Sequence, residues 1–447
     1  MTTTLDKINS NYSKISRKLY VKRRSTATGL FESSWFEISS DVKAWGKIRR
    51  EIDSVQYSKV KFSDVMLRVE NTSGRYNPTD DDASLWNGYM DQQRSLIKIE
   101  AGFLHQTLSS SGIYTNTILP SNPQVFFGIV SGDIMISDKN EVTIPVKPLL
   151  QVFRDFPATA LTGWTSTGLT ATQFFNMLRD QTDGSTNFIF RPFFQDTTTY
   201  WNIASTTNVY SNLNTGGAAD VLEKTVWEVI EMLSEAEDLV TYIKNDGTLV
   251  FGSRTASTAS SFHFVGSGYL DGTYAHTIKT IKSYGKKISD YYSRVEVKWI
   301  DSNTTTAIRV QANAFSIAGT NAAWNYGFRT FKFENFWIPT STVADTILNN
   351  IFTNVSTLRN RIEFTSSFVP TLEILDRIQV SYDSSNKGAF SRWDVNDWCY
   401  DDTNLSNDLY WDKYSGDAIR LNAAEFKILS IDLDLDKLET SIVGISI

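Results

Sequence analysis

At 447 residues the chain exceeds the roughly 250–300 residues at which one hydrophobic core stops growing, so three or four domains are expected. Its 41% hydrophobic and 13% aromatic content excludes a disordered chain, and one cysteine (Cys399) with three histidines (His105, His263, His276) excludes a disulfide framework or a Cys/His zinc cluster. The net charge of −7 is uneven, with 12 Lys/Arg against 6 Asp/Glu in residues 1–60 and −13 in the remainder, an acidic balance that repels phosphate.

No run approaches the roughly 20 apolar residues of a membrane span, and Met1 to Lys22 has no signal-peptide core, so synthesis in the cytosol is expected. Residues 1–40 read as an N-terminal arm. Its cations Lys14, Arg17, Lys18, Lys22, Arg23 and Arg24 suit an acidic neighbouring subunit, a solvated strand face or nucleic acid.

From there the dominant signal is period-two alternation in short runs broken by Gly, Asn, Asp and Ser, the pattern of half-buried strands with tight turns. In residues 60–70 Val65, Leu67 and Val69 share one face, before a break at Asn71-Thr72-Ser73-Gly74-Arg75 and a turn-rich loop through Asn77-Pro78 and Asp80–Asp82. Further strands are predicted at Ser95–Phe103, Val125–Val130, Gly132–Ser137 and Glu141–Val146. Together they suggest a first barrel-like or sandwich β-domain over 41–156.

A small α+β module is expected over 157–276. It opens with a short helix at Ala171–Arg179. A second helix follows, with Thr225 and Glu228 at capping-box spacing and Val226, Val229, Ile230 and Leu233 on one face. After Glu237 a hairpin runs Leu239–Lys244, turns at Asn245-Asp246-Gly247, and returns through Leu249–Phe251.

A second β-domain is placed at 277–370, with strands at Val295–Trp299, Ile308–Ala312 and Phe328–Phe333 and a helix over 341–357 striped by Val343, Ile347, Ile351 and Val355. The C-terminal β segment, 371–447, has strands at Arg377–Tyr382, Phe426–Leu435 and Glu439–Ile447 around a long aromatic and acidic loop, 384–424. The expected fold class is thus β-rich α+β multidomain, with two barrel-like or sandwich β-domains flanking a small α+β module and a C-terminal β-hairpin domain.

The string from Lys61 to Pro78 (KFSDVMLRVENTSGRYNP), with Leu96–Phe103 (LIKIEAGF) and Phe126–Val130 (FFGIV), resembles the opening domain of phage tail-tip hub and minor tail proteins. The later order is similar too: a helix, the hairpin Tyr242–Phe251, a Val-Glu-Val strand, the 341–357 helix, Leu375–Val380, and a final Ile428–Ile431 strand with its partner. The first 40 residues and the length of the 384–424 loop depart from that pattern.

The resemblance implies a structural, non-enzymatic component of a tail tip or baseplate, located in the virion. It would form a homotrimeric ring joining the tail tube to the spike or receptor-binding apparatus, with a hexameric distal tail protein as the alternative. Implied partners are the tail tube or distal tail protein, the tape measure protein, and spike or fibre proteins, with no sequence-specific nucleic acid and no transmembrane segment. If such a ring lines a DNA exit channel, its acidic β-domains are expected to face the lumen and the basic 1–60 segment the outside or a neighbour.

The chemical candidates are sparse. Asp432, Asp434 and Asp436 match the opening spacing of a calcium loop, but Lys437 stands where that loop needs Gly, and Ile431, Leu433 and Leu435 alternate as in a strand. Ser283 and Lys286 have a Ser-x-x-Lys spacing without its companion motifs. Glu235 and Glu237, two apart on a helix, point to different faces. No metal, cofactor or catalytic residue is therefore assigned. The candidate interface is the loop's aromatic set, Trp393, Trp398, Tyr400, Tyr410, Trp411 and Tyr414, interleaved with carboxylates. That pairing suits a subunit interface, self-burial of the loop, or sugar stacking by a cell-surface glycan-binding or peptidoglycan-hydrolysing tail protein.

Overall fold

A computed structural model describes residues 14–53, 59–77, 84–89, 94–108, 114–119, 124–137, 140–184, 187–194, 200–211, 213, 221, 223–255, 260, 262–266, 275–300, 306–312, 323–383 and 419–447. An open nine-stranded sheet, curled as a half-barrel, holds β1 (Lys14–Lys22), β2 (Phe36–Glu37), β3 (Val42–Ala44), β6 (Val65–Glu70), β7 (Leu96–Leu108), β8 (Tyr114–Leu119), β9 (Gln124–Val130), β10 (Met135–Ile136) and β11 (Glu141–Pro148). Its main path runs β2-β1-β7-β9-β11-β6-β3.

A second sheet holds β4 (Lys47–Ile52), β5 (Val60–Phe62), β17 (Phe262–Val265), β18 (Ala275–Lys286), β22 (Asn360–Ser367), β23 (Arg377–Asp383), β24 (Arg420–Asp434) and β25 (Glu439–Ser446). Because β23 also pairs with β24, six of these strands close on themselves as β23-β17-β18-β22-β25-β24, leaving β4 and β5 as an extension from β24. Closure removes the free edges that an open sheet exposes. Alternation fills the interior: in β22 Ile362 and Phe364 are fully buried, and the Phe364 ring meets Phe264 edge-on at 5.1 Å.

Between these sheets in the chain lies the helical module. It holds α1 (Leu150–Arg154), α2 (Ala171–Asp180) and α3 (Val226–Ala236), with β12 (Leu169–Thr170), β13 (Trp201–Ile203), β14 (Val209–Tyr210), β15 (Leu239–Ile243) and β16 (Leu249–Ser253). Both longer helices open on a full capping box, Thr170 with Gln173 and Thr225 with Glu228, which satisfies amides the first turn leaves unpaired. A three-stranded sheet of β19 (Arg294–Ile300), β20 (Thr306–Ala312) and β21 (Thr330–Glu334) follows. Next to it lie the short α4 (Ala323–Tyr326) and the 15-residue α5 (Ser341–Val355), which packs on β19 and β20.

The β-rich class with a small helical module is as the sequence pattern indicates, but the sheets cut across the expected segment boundaries. Residues 14–40 are not a separate arm, because β1 pairs with β7 along all nine of its residues and buries Leu19 and Val21. The single run at 60–70 is two strands in different sheets, parted at Ser63-Asp64, since β5 pairs with β4 and β6 with β11.

The expected 277–370 unit is also split by packing. Its first and last strands, β18 and β22, join the barrel together with the C-terminal hairpin, so 371–447 is not a domain of its own. Its middle part turns the other way: Val295, Val297, Trp299, Ile347, Ile351 and Val355 bury in one core with Phe174, Phe175, Val229 and Leu233 of the helical module. The half-barrel and barrel share the other core, where Leu67, Ile99 and Ile144 join Phe364, Ile428 and Ile442. Apolar burial of a side chain this size stabilises by about 1.5–3 kcal/mol, so which core a strand completes decides its partner more than its place in the chain does.

Candidate functional site

Among the described residues no group of three or more His, Cys, Asp or Glu could hold a metal ion, and no helix is long and apolar enough to cross a membrane. The three aspartates near the C-terminus belong to the β24–β25 hairpin. Asp434 Oδ1 accepts the Asp436 and Lys437 amides at 3.1 and 2.8 Å, and Asp436 accepts the Trp45 and Gly46 amides at 2.9 and 3.1 Å, while Ile431, Leu433 and Leu435 are buried between them. These carboxylates fasten a turn against the segment leading into β4.

Ser283 and Lys286 are both exposed on β18, with no hydrogen bond to each other. Glu235 and Glu237 do diverge. Glu235 faces Lys59 at 3.6 Å, whereas Glu237 accepts from Asn208 at 3.0 Å, and burial pushes both carboxyls above the usual range. His276 is buried beside Phe262 and Phe264, which lowers its pKa to about 4. The loop residues Trp393, Trp398, Tyr400, Tyr410, Trp411 and Tyr414, together with Cys399 and the loop through Pro78 and Asp80–Asp82, lie outside the described residues.

Two features were missed from sequence. The first is a polar joint where the half-barrel, the barrel and the helical module meet. Arg50 of β4, 3% exposed, donates to Glu373 Oε2 at 2.6 Å and to the Val125 carbonyl of β9 at 3.0 Å. Glu373 Oε1 accepts the Asn245 amide at 2.7 Å, and the Asn245 side chain donates to the Pro370 carbonyl at 3.2 Å. Its signal was in the sequence: Arg50 alternates with Ile48 and Ile52, a cation on an apolar strand face, and a buried charge needs a partner.

Burial pushes the Glu373 carboxyl up to about 7, against the opposing pull of Arg50 and the Asn245 amide. A folded-state pKa above the unfolded value means the native state holds this proton more tightly. The group's contribution is therefore complete below about pH 4.5 and is lost as pH rises through about 7. Glu373→Gln is expected to flatten that slope, read as the difference in urea midpoint between pH 5 and pH 8; an unchanged slope would remove Glu373 as its source.

The second feature is a cleft of about 350 Å³ between the ends of β1, β7 and β9 and the helical module, walled by Phe31, Trp35, Leu96, Phe127 and Pro192 with Lys22 at its side. A further hollow of about 330 Å³ adjoins it, sharing Leu30 and Phe31. Aromatic contacts hold the walls: Phe31 meets Phe193 edge-on at 5.1 Å, and Trp35 meets Phe127 at 5.7 Å. Lys22 and Lys98 lie over the Trp35 ring at 5.9 and 5.2 Å.

The cations of the basic start divide here. Arg17 donates to the Leu435 carbonyl at 2.7 Å, Lys18 pairs with Glu37, and Arg23 is gripped by both oxygens of Glu32 at 2.7 Å each. Lys22 and Arg24 have no carboxylate partner among the described residues. Arg24 donates to the Gly29 carbonyl at 2.6 Å and lies over Phe193. Burial, and then the neighbouring Arg94, hold its guanidinium below the usual range.

No protein-family model matches the chain, and no curated protein matches it. Among solved structures it is similar to the tail protein from Neisseria meningitidis MC58, at 10% identity and a TM-score of 0.50, over 96% of this chain and 97% of that one. It also aligns with the 43 kDa tail protein of prophage MuSo2 from Shewanella oneidensis (13% identity, TM-score 0.45, 96% and 98% of the two chains). The prophage tail protein gp18 from Listeria monocytogenes EGD-e gives 10% identity and a TM-score of 0.46, over 96% and 94%. At such identity the likeness to the Neisseria protein is one of fold.

Proposed function

We propose that this chain, whose fold matches that of a bacterial tail protein along nearly its whole length, is a structural component of a bacteriophage tail tip or baseplate in the virion. That end-to-end correspondence is the observation that carries the reading, because it spans half-barrel, helical module and barrel together and not one widespread domain. In this reading the chain has no enzymatic role. It forms a ring, as a trimer, that joins the tail tube to the spike or receptor-binding parts and contacts the tape measure protein.

The joint at Arg50 supports such a role. A part that transmits load between neighbours needs its modules fixed to one another, and a buried ion pair with a backbone acceptor on one module and a backbone donor on another fixes them more firmly than an exposed linker does. The acidic excess of residues 61–447 suits a lumen past which DNA slides without binding.

Light scattering of the purified protein is the test. The expected mass is three times that of the 50.5 kDa chain, with six copies indicating the distal-tail alternative. A chain that stays monomeric at high concentration and never co-purifies with tail parts would overturn the reading. Turnover of host polysaccharide or peptidoglycan, lost on changing a carboxylate in 394–412, would replace it with the cell-surface hydrolase alternative.

A further inference from the structure

Resting on the ring reading, we propose that the cleft beside Trp35 is a docking site between copies of this chain, occupied by the 384–418 segment of the adjacent copy. The cleft combines two properties that an isolated protein has no reason to combine. It is apolar and aromatic, with Leu30 46% exposed at its mouth and Phe31 and Trp35 partly exposed. It is also cationic: Lys22 lines it and has no carboxylate partner among the described residues, and Arg24, likewise without one, lies beside it over the Phe193 ring that packs on Phe31. A partly buried cation without an anion is unfavourable unless a partner supplies one, so the site fits a segment that brings carboxylates and large flat side chains together.

The chain contains one stretch of that chemistry. Residues 384–418 carry seven aspartates against three basic residues, with Trp393, Trp398, Trp411, Tyr400, Tyr410 and Tyr414 among them. Tyr and Trp are the residue types that anchor interfaces between chains, and the opposite charges of segment and cleft favour docking in one register. Length permits it as well. The 35-residue segment leaves the barrel after β23 and returns at β24, so its middle reaches at most about 55 Å if half runs out and half runs back. A folded chain of this length has a radius of gyration of about 22 Å, so the segment can cross to a neighbour.

The single native cysteine, Cys399, lies within the segment and makes the contact directly measurable. Leu30→Cys places a second thiol at the mouth of the cleft, and Ser289→Cys, exposed on another part of the surface, is the control. Under mild oxidation the Leu30→Cys protein is expected to give a reducible ladder of covalent oligomers ending at the ring size, and the Ser289→Cys protein is not. Adding Lys22→Glu and Arg24→Glu should cut the ladder at least tenfold while leaving Cys399 equally reactive towards a small thiol reagent. A ring by light scattering that gives no ladder, a ladder indifferent to the charge reversals, or an internal disulfide in single chains overturns the docking proposal and leaves the ring reading standing. A chain that remains monomeric before oxidation overturns both.

Discussion

Replacing Arg50 with methionine is expected to destabilise the protein by about 3–5 kcal/mol at pH 8, the usual cost of removing one member of a buried ion pair. Two groups lose a partner at once, Glu373 and the Val125 carbonyl, and Glu373 is also the acceptor of the Asn245 amide. Methionine keeps most of the side-chain volume, so the loss reports the charge and hydrogen bonds and not a cavity. The effect should shrink at pH 5, because Glu373, its carboxyl already raised to about 7 by burial, escapes as the neutral acid. Urea titration at both pH values checks this. Equal losses at pH 5 and pH 8 would show that the pair does not fasten the joint through charge.

Replacing Phe364 with alanine is expected to cost a further-reaching 3–5 kcal/mol, the approximate range for emptying a phenylalanine site in a packed core. Its ring is fully buried inside the closed barrel against Phe264, and Ile362 on the same strand and Ile442 on the paired strand β25 are also fully buried. Phe364→Leu should cost less than half as much, since most of the space stays filled. The barrel melting point measures both. If alanine and leucine were equally tolerated, the interior would be too loosely packed for the closed six-strand arrangement described here.

Local chemistry was the legible part of this sequence. The capping box at Thr225 and Glu228 and the Asn245-Asp246-Gly247 turn depend on residues a few positions apart, and the structure has both where the spacing puts them. Long-range assembly was not legible. The break at Ser63-Asp64 shows in the sequence only as a one-residue shift of the apolar phase, from Val60 and Phe62 to Val65, Leu67 and Val69, yet it sends β5 to the barrel and β6 to the half-barrel. Nothing within ten residues of β4 announces that its partner is β24, nearly four hundred positions later. Arg17 and Arg23 are tied down by a carbonyl and a carboxylate, which leaves Lys22 at the cleft and Arg24 beside it over Phe193.

Imaging assembled particles in which this chain carries a bound label tests whether it is built into the end of a phage tail. Label is expected at the tail tip, in a closed ring of three copies around the tail axis. Label absent from the tail, or present as scattered single copies away from that axis, would contradict it.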